Sequence, residues 1–334
     1  MQIGVIGAGS WGLALARRLA LNHRDVLVWV FDQDEYDELV ETRTSKDFSA
    51  GVTLPENVNF TTSLGDFKDY IRLVLAVPSH AMRSVAEQMA HLDFHPELVV
   101  NVAKGLENDT FMRMSEVILD EMESMNPSQV VTMTGPTHAE EVSQDMPSAI
   151  VAASDSMETS RLVQTIFMDK YFRVYTNNDI IGAELGGSVK NVIAIAAGIL
   201  DGMSQGDNPK AALMTRGIAE ITRLGLAAGA HRDTFSGLSG IGDLIVTCLS
   251  QHSRNRHVGE QLGRGKKLDD ILGEMKMVAE GVKTAKSVQQ MAENYDVDMP
   301  ITQQVFQVLF HDKTPESAIY DLMSRDPVHE HHSM

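Results

Sequence analysis

Six residues near the N-terminus, Gly7-Ala8-Gly9-Ser10-Trp11-Gly12, restrict the fold more than any other feature of the chain. Their G-x-G-x-x-G pattern means little alone. Here it follows the apolar run 2–6, which reads as a strand, and opens residues 11–22, whose apolar positions recur at helical spacing. In that context each glycine has a use. Gly7 permits the tight turn, Gly9 lets the backbone approach a pyrophosphate, and Gly12 lets the helix pack close to the strand. The helix N-terminus then offers unpaired N–H groups and the positive end of its dipole to the phosphates. A second strand, residues 26–31, leads into Asp32 about 20 residues past Gly12, where a ribose-binding acid belongs. A glycine-rich turn that binds nothing has no use for that acid. The expected ligand is NAD or NADP.

The same alternation continues. Apolar runs of strand length at 73–77, 98–102, 130–133, 149–153 and 172–175 are separated mostly by helical patterns. This is the signature of a doubly wound Rossmann sheet, largely parallel and covered by helices on both faces. After Asn177-Asn178-Asp179 the pattern changes to helical stretches at 183–203, 210–228, 240–249, 283–294 and 302–310. Since 334 residues are long for one core, the chain divides into a dinucleotide-binding domain, residues 1–178, and an all-α substrate-binding domain, residues 179–325. The tail, residues 326–334, is expected to be disordered. Its His329-Glu330-His331-His332 offers metal-ligand chemistry as the rival reading, and no metal site is expected.

Net charge bears on partners. At −18 the chain argues against nucleic acid and anionic membrane, and it makes any local group of cations informative. No uninterrupted apolar run reaches membrane-spanning length, and the first residues lack a basic stretch before a long apolar one, so a cytoplasmic location is expected. The single cysteine, Cys248, fits a reducing compartment. It lies in an apolar run and reads as a packing residue more than a reactive thiol.

Five further segments carry chemistry. Lys190 sits in Leu185-Gly186-Gly187-Ser188-Val189-Lys190-Asn191-Val192-Ile193-Ala194, a helix apolar almost all round. Burial penalises its ammonium and lowers its pKa, which suits proton exchange; a lysine whose stem snorkels outward is the alternative. Lys104-Gly105 follows the strand at 98–102 and so lies at the carboxyl end of the sheet, where ligands bind. Ser253-Arg254-Asn255-Arg256 concentrates donors suited to a phosphate dianion; read alone, it and Lys104 are equally compatible with surface charge. Asp243 follows Gly240-Ile241-Gly242 and suits either a site carboxylate or a helix cap. Gly135-Pro136-Thr137 reads as a turn into a helix that starts at Thr137.

In order, the glycine loop, Lys104-Gly105-Leu106-Glu107, Gly135-Pro136-Thr137, Gly187-Ser188-Val189-Lys190-Asn191, Thr215-Arg216-Gly217, Gly242-Asp243, Ser253-Arg254-Asn255 and Glu280-Gly281 resemble bacterial-type NAD(P)-dependent glycerol-3-phosphate dehydrogenases, up to about Leu322. The resemblance implies reversible reduction of dihydroxyacetone phosphate, a phosphorylated triose, to sn-glycerol 3-phosphate for phospholipid synthesis. It implies that Lys190 is the proton donor and acceptor, and that Lys104, Gly135, Thr137, Asp243, Ser253, Arg254 and Asn255 line the substrate site with it. Ser10, Trp11, Lys104, Ala139, Arg254, Val278 and Glu280 match cofactor positions, beside Gly7, Gly9, Gly12 and Asp32 of the dinucleotide motif, and Phe31 at the end of the second strand can stack on adenine. The chain departs from the common pattern at Leu13 (often Thr), His138 (often Phe), Pro209 (often Ala) and Phe31 (often basic). With Asp32, Asp34 and Glu35 nearby and Arg43 the nearest downstream cation, NADH is expected to serve at least as well as NADPH, unless a loop near Lys46 brings the missing charge. Two rival functions stand beside this one: a dehydrogenase of a small hydroxy acid, and a non-catalytic dinucleotide sensor. The oligomeric state, a homodimer included, is left open.

Overall fold

The computed structural model describes residues 1–45, 51–275, 278–327 and 329–330. Lys46 and His331–His332 of the tail lie outside them. The strands are β1 (Gln2–Ile6), β2 (Asp25–Trp29), β3 (Val58–Thr61), β4 (Arg72–Leu75), β5 (Leu98–Asn101), β6 (Val130–Thr134), β7 (Ser148–Ala153) and β8 (Phe172–Asn177). They form one eight-stranded sheet in the order β3-β2-β1-β4-β5-β6-β7-β8. The chain order reverses between β1 and β4, and the glycine loop lies at the carboxyl end of β1, beside this switch point. β5 and β6 are buried along their whole length, as strands covered on both faces should be.

Helices α1 (Ser10–Leu21), α2 (Gln33–Thr42), α3 (Met82–His91), α4 (Met114–Glu121), α5 (Ala139–Ser143) and α6 (Met157–Phe167) accompany the sheet. One core packs α1 and α6 on one face, through Leu15, Leu19, Val163 and Phe167. A second packs α3 and α4 on the other, through Val85, Met89, Val117 and Ile118. One strand departs from the parallel pattern: β7 runs antiparallel to β6 and parallel to β8. The reason lies in the connection. α5 has 5 residues and spans only about 7 Å, too little to carry the chain back across a strand nearly 17 Å long. β7 therefore starts at the same end where β6 stops. The 11 residues of α6 restore the crossover. β3 is the strand that periodicity did not reveal; its four residues, Val-Asn-Phe-Thr, include two polar ones and form no continuous apolar run.

Beyond β8 the described chain is helical: α7 (Ile180–Gly202), α8 (Asp207–Ala227), α9 (Arg232–Phe235), α10 (Asp243–Leu249), α11 (Arg254–Gly263), α12 (Leu268–Glu274), α13 (Glu280–Asn294), α14 (Pro300–Phe310) and α15 (Pro315–Met323). A π-helical turn, Leu238–Gly242, leads into α10. α7 is the axis. By length and composition it could cross a membrane, yet 89% of its most apolar window is buried inside the protein. Asp179 starts it, accepting from the Gly182 amide at 2.8 Å, and its other oxygen accepts from the His231 amide and the Thr234 hydroxyl. Leu185, Val189 and Ile193 face one core with Leu224 and Leu244. Val192, Ile195 and Ile199 face another with Val258 and Leu262.

α7 and α11 meet backbone to backbone. Gly198 and Gly202 on one helix oppose Gly259 and Gly263 on the other, and a β-carbon at any of the four would overlap a carbonyl of the partner helix. This explains why α11 escaped periodicity: its sequence, RNRHVGEQLG, buries glycine where most helices bury leucine. The same contact fixes where α11 begins, and so where Ser253 and Arg254 stand. Gly259→Ala should therefore destabilise the protein by about 1–3 kcal/mol or more. Helix propensity alone favours alanine by about 1 kcal/mol, so equilibrium urea unfolding that finds the variant as stable as wild type, or more so, would refute the close contact.

Candidate active site

A cleft of about 490 Å³ runs from the glycine loop to the start of α11. At its first end the backbone shapes the wall. Gly7 has φ +118, and a β-carbon there would come within 2.8 Å of the Ala76 carbonyl oxygen. A β-carbon at Gly12 would collide with the Gly7 carbonyl, whereas Gly9 faces open space. Gly9 caps α1 without a side-chain acceptor, so the first amides of the helix remain available. A diphosphate fits this cradle by charge and by room.

The edge beyond β2 is acidic. Phe31 is 86% exposed and meets Trp29 edge-on at 5.9 Å. Asp32 is expected on the cleft wall but caps α2, accepting from the Glu35 amide at 2.9 Å; Glu35, four residues past Phe31 along the chain, lines the cleft instead. Arg43 does not reach this edge. Its guanidinium donates to the carbonyls of Leu54 (3.0 Å) and Val58 (2.6 Å) and lies over Phe60.

The centre holds three charged side chains. Lys190, 4% exposed, donates to Asp243 Oδ1 and to Thr247 Oγ1 (2.6 Å). Lys104 donates to Asp243 Oδ2 (2.8 Å) and to the Gly135 carbonyl (3.1 Å). Asp243, 1% exposed, thus bridges two amino groups. Burial pushes Lys190 down to about 7, the neighbouring Lys104 adds to that effect, and Asp243 opposes it. Burial alone would raise the Asp243 pKa, but Lys104 and Lys190 outweigh it and hold the carboxyl below the usual carboxylate range. Asp243 is therefore an anion, and Lys190 is poised between its two states near neutrality. Gly135 and Asp243 sit one layer behind the cleft wall rather than on it; both act on the wall by holding Lys104. Thr247 was not anticipated. It stands one turn beyond Asp243 on α10 and donates to the Asp243 carbonyl at 2.6 Å, so the i, i+4 spacing was its only sequence signal.

At the other end Ser253 caps α11, accepting from the Arg256 amide at 3.2 Å. Arg254 is exposed on the cleft wall and donates to the Val278 carbonyl at 3.1 Å. Asn255 accepts from the Gly281 amide at 2.8 Å. Arg256, the fourth member of that run, turns away to Asp201 at 2.6 Å. Glu280 also lines the cleft, and its carboxylate accepts from the Ser79 hydroxyl (2.6 Å) and amide (3.2 Å) across it. Thr137 and Ala139 complete this wall; the helix begins at Ala139, two residues later than the turn suggested. Behind the site, buried Glu184 of α7 accepts from Ser115 (2.9 and 2.6 Å), Arg113 (2.8 Å), Asn101 (3.2 Å) and Thr132 (3.1 Å). Cys248 is buried, with its thiol pushed up to about 12 by burial, as befits a packing residue.

A lysine that can gain or lose a proton, set beside a loop built for a dinucleotide, is the equipment of a dehydrogenase that moves a hydride and a proton. The comparisons narrow the class. Family models for the N-terminus and C-terminus of NAD-dependent glycerol-3-phosphate dehydrogenase match residues 2–160 and 179–320. A glycerol-3-phosphate dehydrogenase (NAD(P)+) of Prosthecochloris aestuarii is 51% identical over 98% of this chain and 99% of its own. The crystal structure of glycerol-3-phosphate dehydrogenase from Coxiella burnetii superposes with a TM-score of 0.92 at 34% identity, covering 97% of this chain and 99% of that one. A D-mandelate dehydrogenase structure reaches 0.65 at 9% identity, over 96% of this chain and 99% of its own, a likeness of fold alone. The chain belongs to the NAD-dependent glycerol-3-phosphate dehydrogenase family.

The lowered lysine pKa has a consequence for stability. Unfolded, Lys190 keeps its proton up to the ordinary lysine value of 10.5; folded, it loses it near 7. Between those values the unfolded chain binds more protons, so stability rises with pH, by up to about 1.4 kcal/mol per pH unit from this group. Lys190→Met should lack that contribution. Urea unfolding at pH values spanning this window should show the variant's stability relative to wild type falling as pH rises; parallel profiles would contradict the tuned lysine.

Proposed function

We propose that the protein catalyses the reversible reduction of dihydroxyacetone phosphate to sn-glycerol 3-phosphate with a nicotinamide dinucleotide, in the cytoplasm and in supply of phospholipid synthesis. The observation that carries this reading is the position of Lys190, buried against Asp243 between the dinucleotide cradle and the cationic start of α11. Residues 1–178 hold the cofactor: Gly7, Gly9, Ser10, Trp11 and Gly12 cradle its phosphates, while Phe31, Glu35, Lys104, Ala139, Arg254, Val278 and Glu280 bound the rest of its path, with Asp32 just behind Glu35 as the cap of α2. When bound, the nicotinamide would supply a hydride to the substrate carbonyl, or accept one from the alcohol. Residues 179–325, with Lys104 and the 135–139 turn, bind the triose. Arg254, Asn255 and the amides opened by Ser253 hold the phosphate, which orients the remote carbonyl. Lys190 then protonates the oxygen on which negative charge develops, and takes the proton back in the reverse direction. Lys104 adds positive field, Thr137 contributes a hydroxyl, and Asp243 keeps both amino groups in place.

The charge state sets the sign of the pH dependence. Reduction needs Lys190 protonated and is favoured below its pKa; oxidation needs it neutral and is favoured above. A hydroxy-acid dehydrogenase would want a carboxylate clamp in place of Ser253-Arg254-Asn255, and a sensor has no use for a lysine tuned by its own carboxylate.

The test is NADH consumption in the presence of dihydroxyacetone phosphate, by wild type and Lys190→Ala. General acid–base residues contribute about 10²–10⁴ in rate, so the variant should lose at least that lower factor in kcat while binding NADH almost as tightly. Full turnover in Lys190→Ala would remove the lysine from the mechanism. A second outcome concerns the cofactor. The acidic edge beyond β2 should repel a 2′-phosphate, so NADH should serve at least as well as NADPH, and Phe31→Arg should move the ratio of kcat/KM toward NADPH. A wild-type preference for NADPH of about tenfold, equal to about 1.4 kcal/mol, would place a cation at this edge from outside residues 30–45.

A further inference from the structure

His138 is a polar side chain of the cleft that the proposed reaction does not use. It precedes α5 with extended backbone (φ −99, ψ 137) and caps nothing with its side chain. Its ring lines the cleft along with Lys104, Lys190 and Thr247 and meets the ring of His252 at 5.9 Å, tilted 54°. Its Nε2 is buried and has no hydrogen-bond partner among the described residues. Such an atom costs free energy until something satisfies it. Turning the ring about Cβ–Cγ re-aims that nitrogen without moving the backbone.

The surroundings decide which partner it takes. Burial first, then the charges of Lys190 and Lys104, lower the pKa of His138, against the smaller opposing pull of Glu140 and Glu141. The imidazole is therefore neutral at neutral pH, and next to two amino groups it presents a lone pair. It needs a donor. On the reading proposed above, the triose phosphate brings three polar groups. Its carbonyl oxygen goes to Lys190 and its phosphate to Arg254 and Asn255, both acceptors meeting cations. The group left over is the primary hydroxyl on C1, a donor.

We infer that His138 is a specificity-determining residue that accepts a hydrogen bond from the C1 hydroxyl of the substrate through its otherwise unpartnered Nε2. This inference rests on the triose-phosphate reading, and the experiment separates the two. Wild type, His138→Phe and His138→Gln are compared on dihydroxyacetone phosphate and on hydroxyacetone phosphate, which carries a methyl group in place of the C1 hydroxymethyl. NADH affinity is measured for each protein by fluorescence. Phenylalanine keeps a planar ring and removes the acceptor; glutamine restores one.

Wild type should prefer dihydroxyacetone phosphate in kcat/KM. In His138→Phe that preference should fall about tenfold, the scale of one lost hydrogen bond of about 1.4 kcal/mol, with NADH affinity unchanged, and His138→Gln should recover part of it. Equal losses on both substrates would make His138 a packing residue and overturn the inference. A weaker NADH affinity with preference intact would assign the nitrogen to the cofactor and overturn it too. So would a wild type indifferent to the C1 hydroxyl, a result that needs no variant. A wild type that reduces neither compound would remove the triose-phosphate reading itself, and His138's role with it.

Discussion

One carboxylate shared by two lysines organises this molecule. Asp243 is buried, and a buried anion costs several kcal/mol unless it is paired and hydrogen-bonded. Here both oxygens are engaged, one by Lys190 and the other by Lys104. The three groups come from distant parts of the chain: the loop after β5, the first half of α7 and the first turn of α10. None could be buried alone. Lys190 without Asp243 would be a bare ammonium in a core; Asp243 without the lysines would be forced toward its neutral form. The cluster also holds two amino groups against one carboxylate in a chain of net charge −18. A positive pocket thus survives inside a negative field, as a doubly charged phosphate ester requires.

The scaffold that makes this possible is α7. It carries Lys190 at its middle, Glu184 toward its start and the glycine face toward its end. Each feature locks a different neighbour. Glu184 gathers donors from β5, β6 and the start of α4, which fixes the helix against the sheet. Gly198 and Gly202 admit α11 to backbone contact, which fixes the phosphate-binding end. Between those two anchors the lysine has little freedom to drift, and proton transfer tolerates little drift.

What the sequence made legible follows from how local each signal is. The glycine loop is six adjacent residues between a strand and a helix, so it could be read directly. Lys190 was visible because an isolated charge in an apolar helix is an anomaly within one turn of its own position. Asp243 looked equally like a cap or a site residue, since what separates those readings is Lys104, 139 positions away along the chain. Arg256 was misplaced for a related reason. Adjacent residues on a helix point about 100° apart, so a run of donors such as Ser253-Arg254-Asn255-Arg256 cannot all face one ligand. Asp32 stands off the cleft wall because it caps α2, and Glu35 lines the wall instead. α11 stayed hidden because its buried face includes glycine, and β3 because two of its four residues are polar.

The joint between sheet and helices carries several polar contacts, and they have a mechanical meaning. Its apolar part sets Val151 and Ala153 of β7 against Ala183 of α7, with Leu238 beside them, and seats Leu106 in the helical core. Its polar part includes Asn101 and Thr132 on Glu184, Lys104 on Asp243, and Ser79 on Glu280. An apolar contact is non-directional and tolerates sliding, whereas a hydrogen bond weakens steeply as its geometry is lost. Three polar contacts spread along the cleft therefore set the register between the two walls more sharply than a larger greasy patch would. Polar contacts can also exchange with water or with a ligand at modest net cost. Glu280 and Lys104 both reach across the cleft in this way, so the walls that align the substrate are held by bonds that a ligand can replace one at a time.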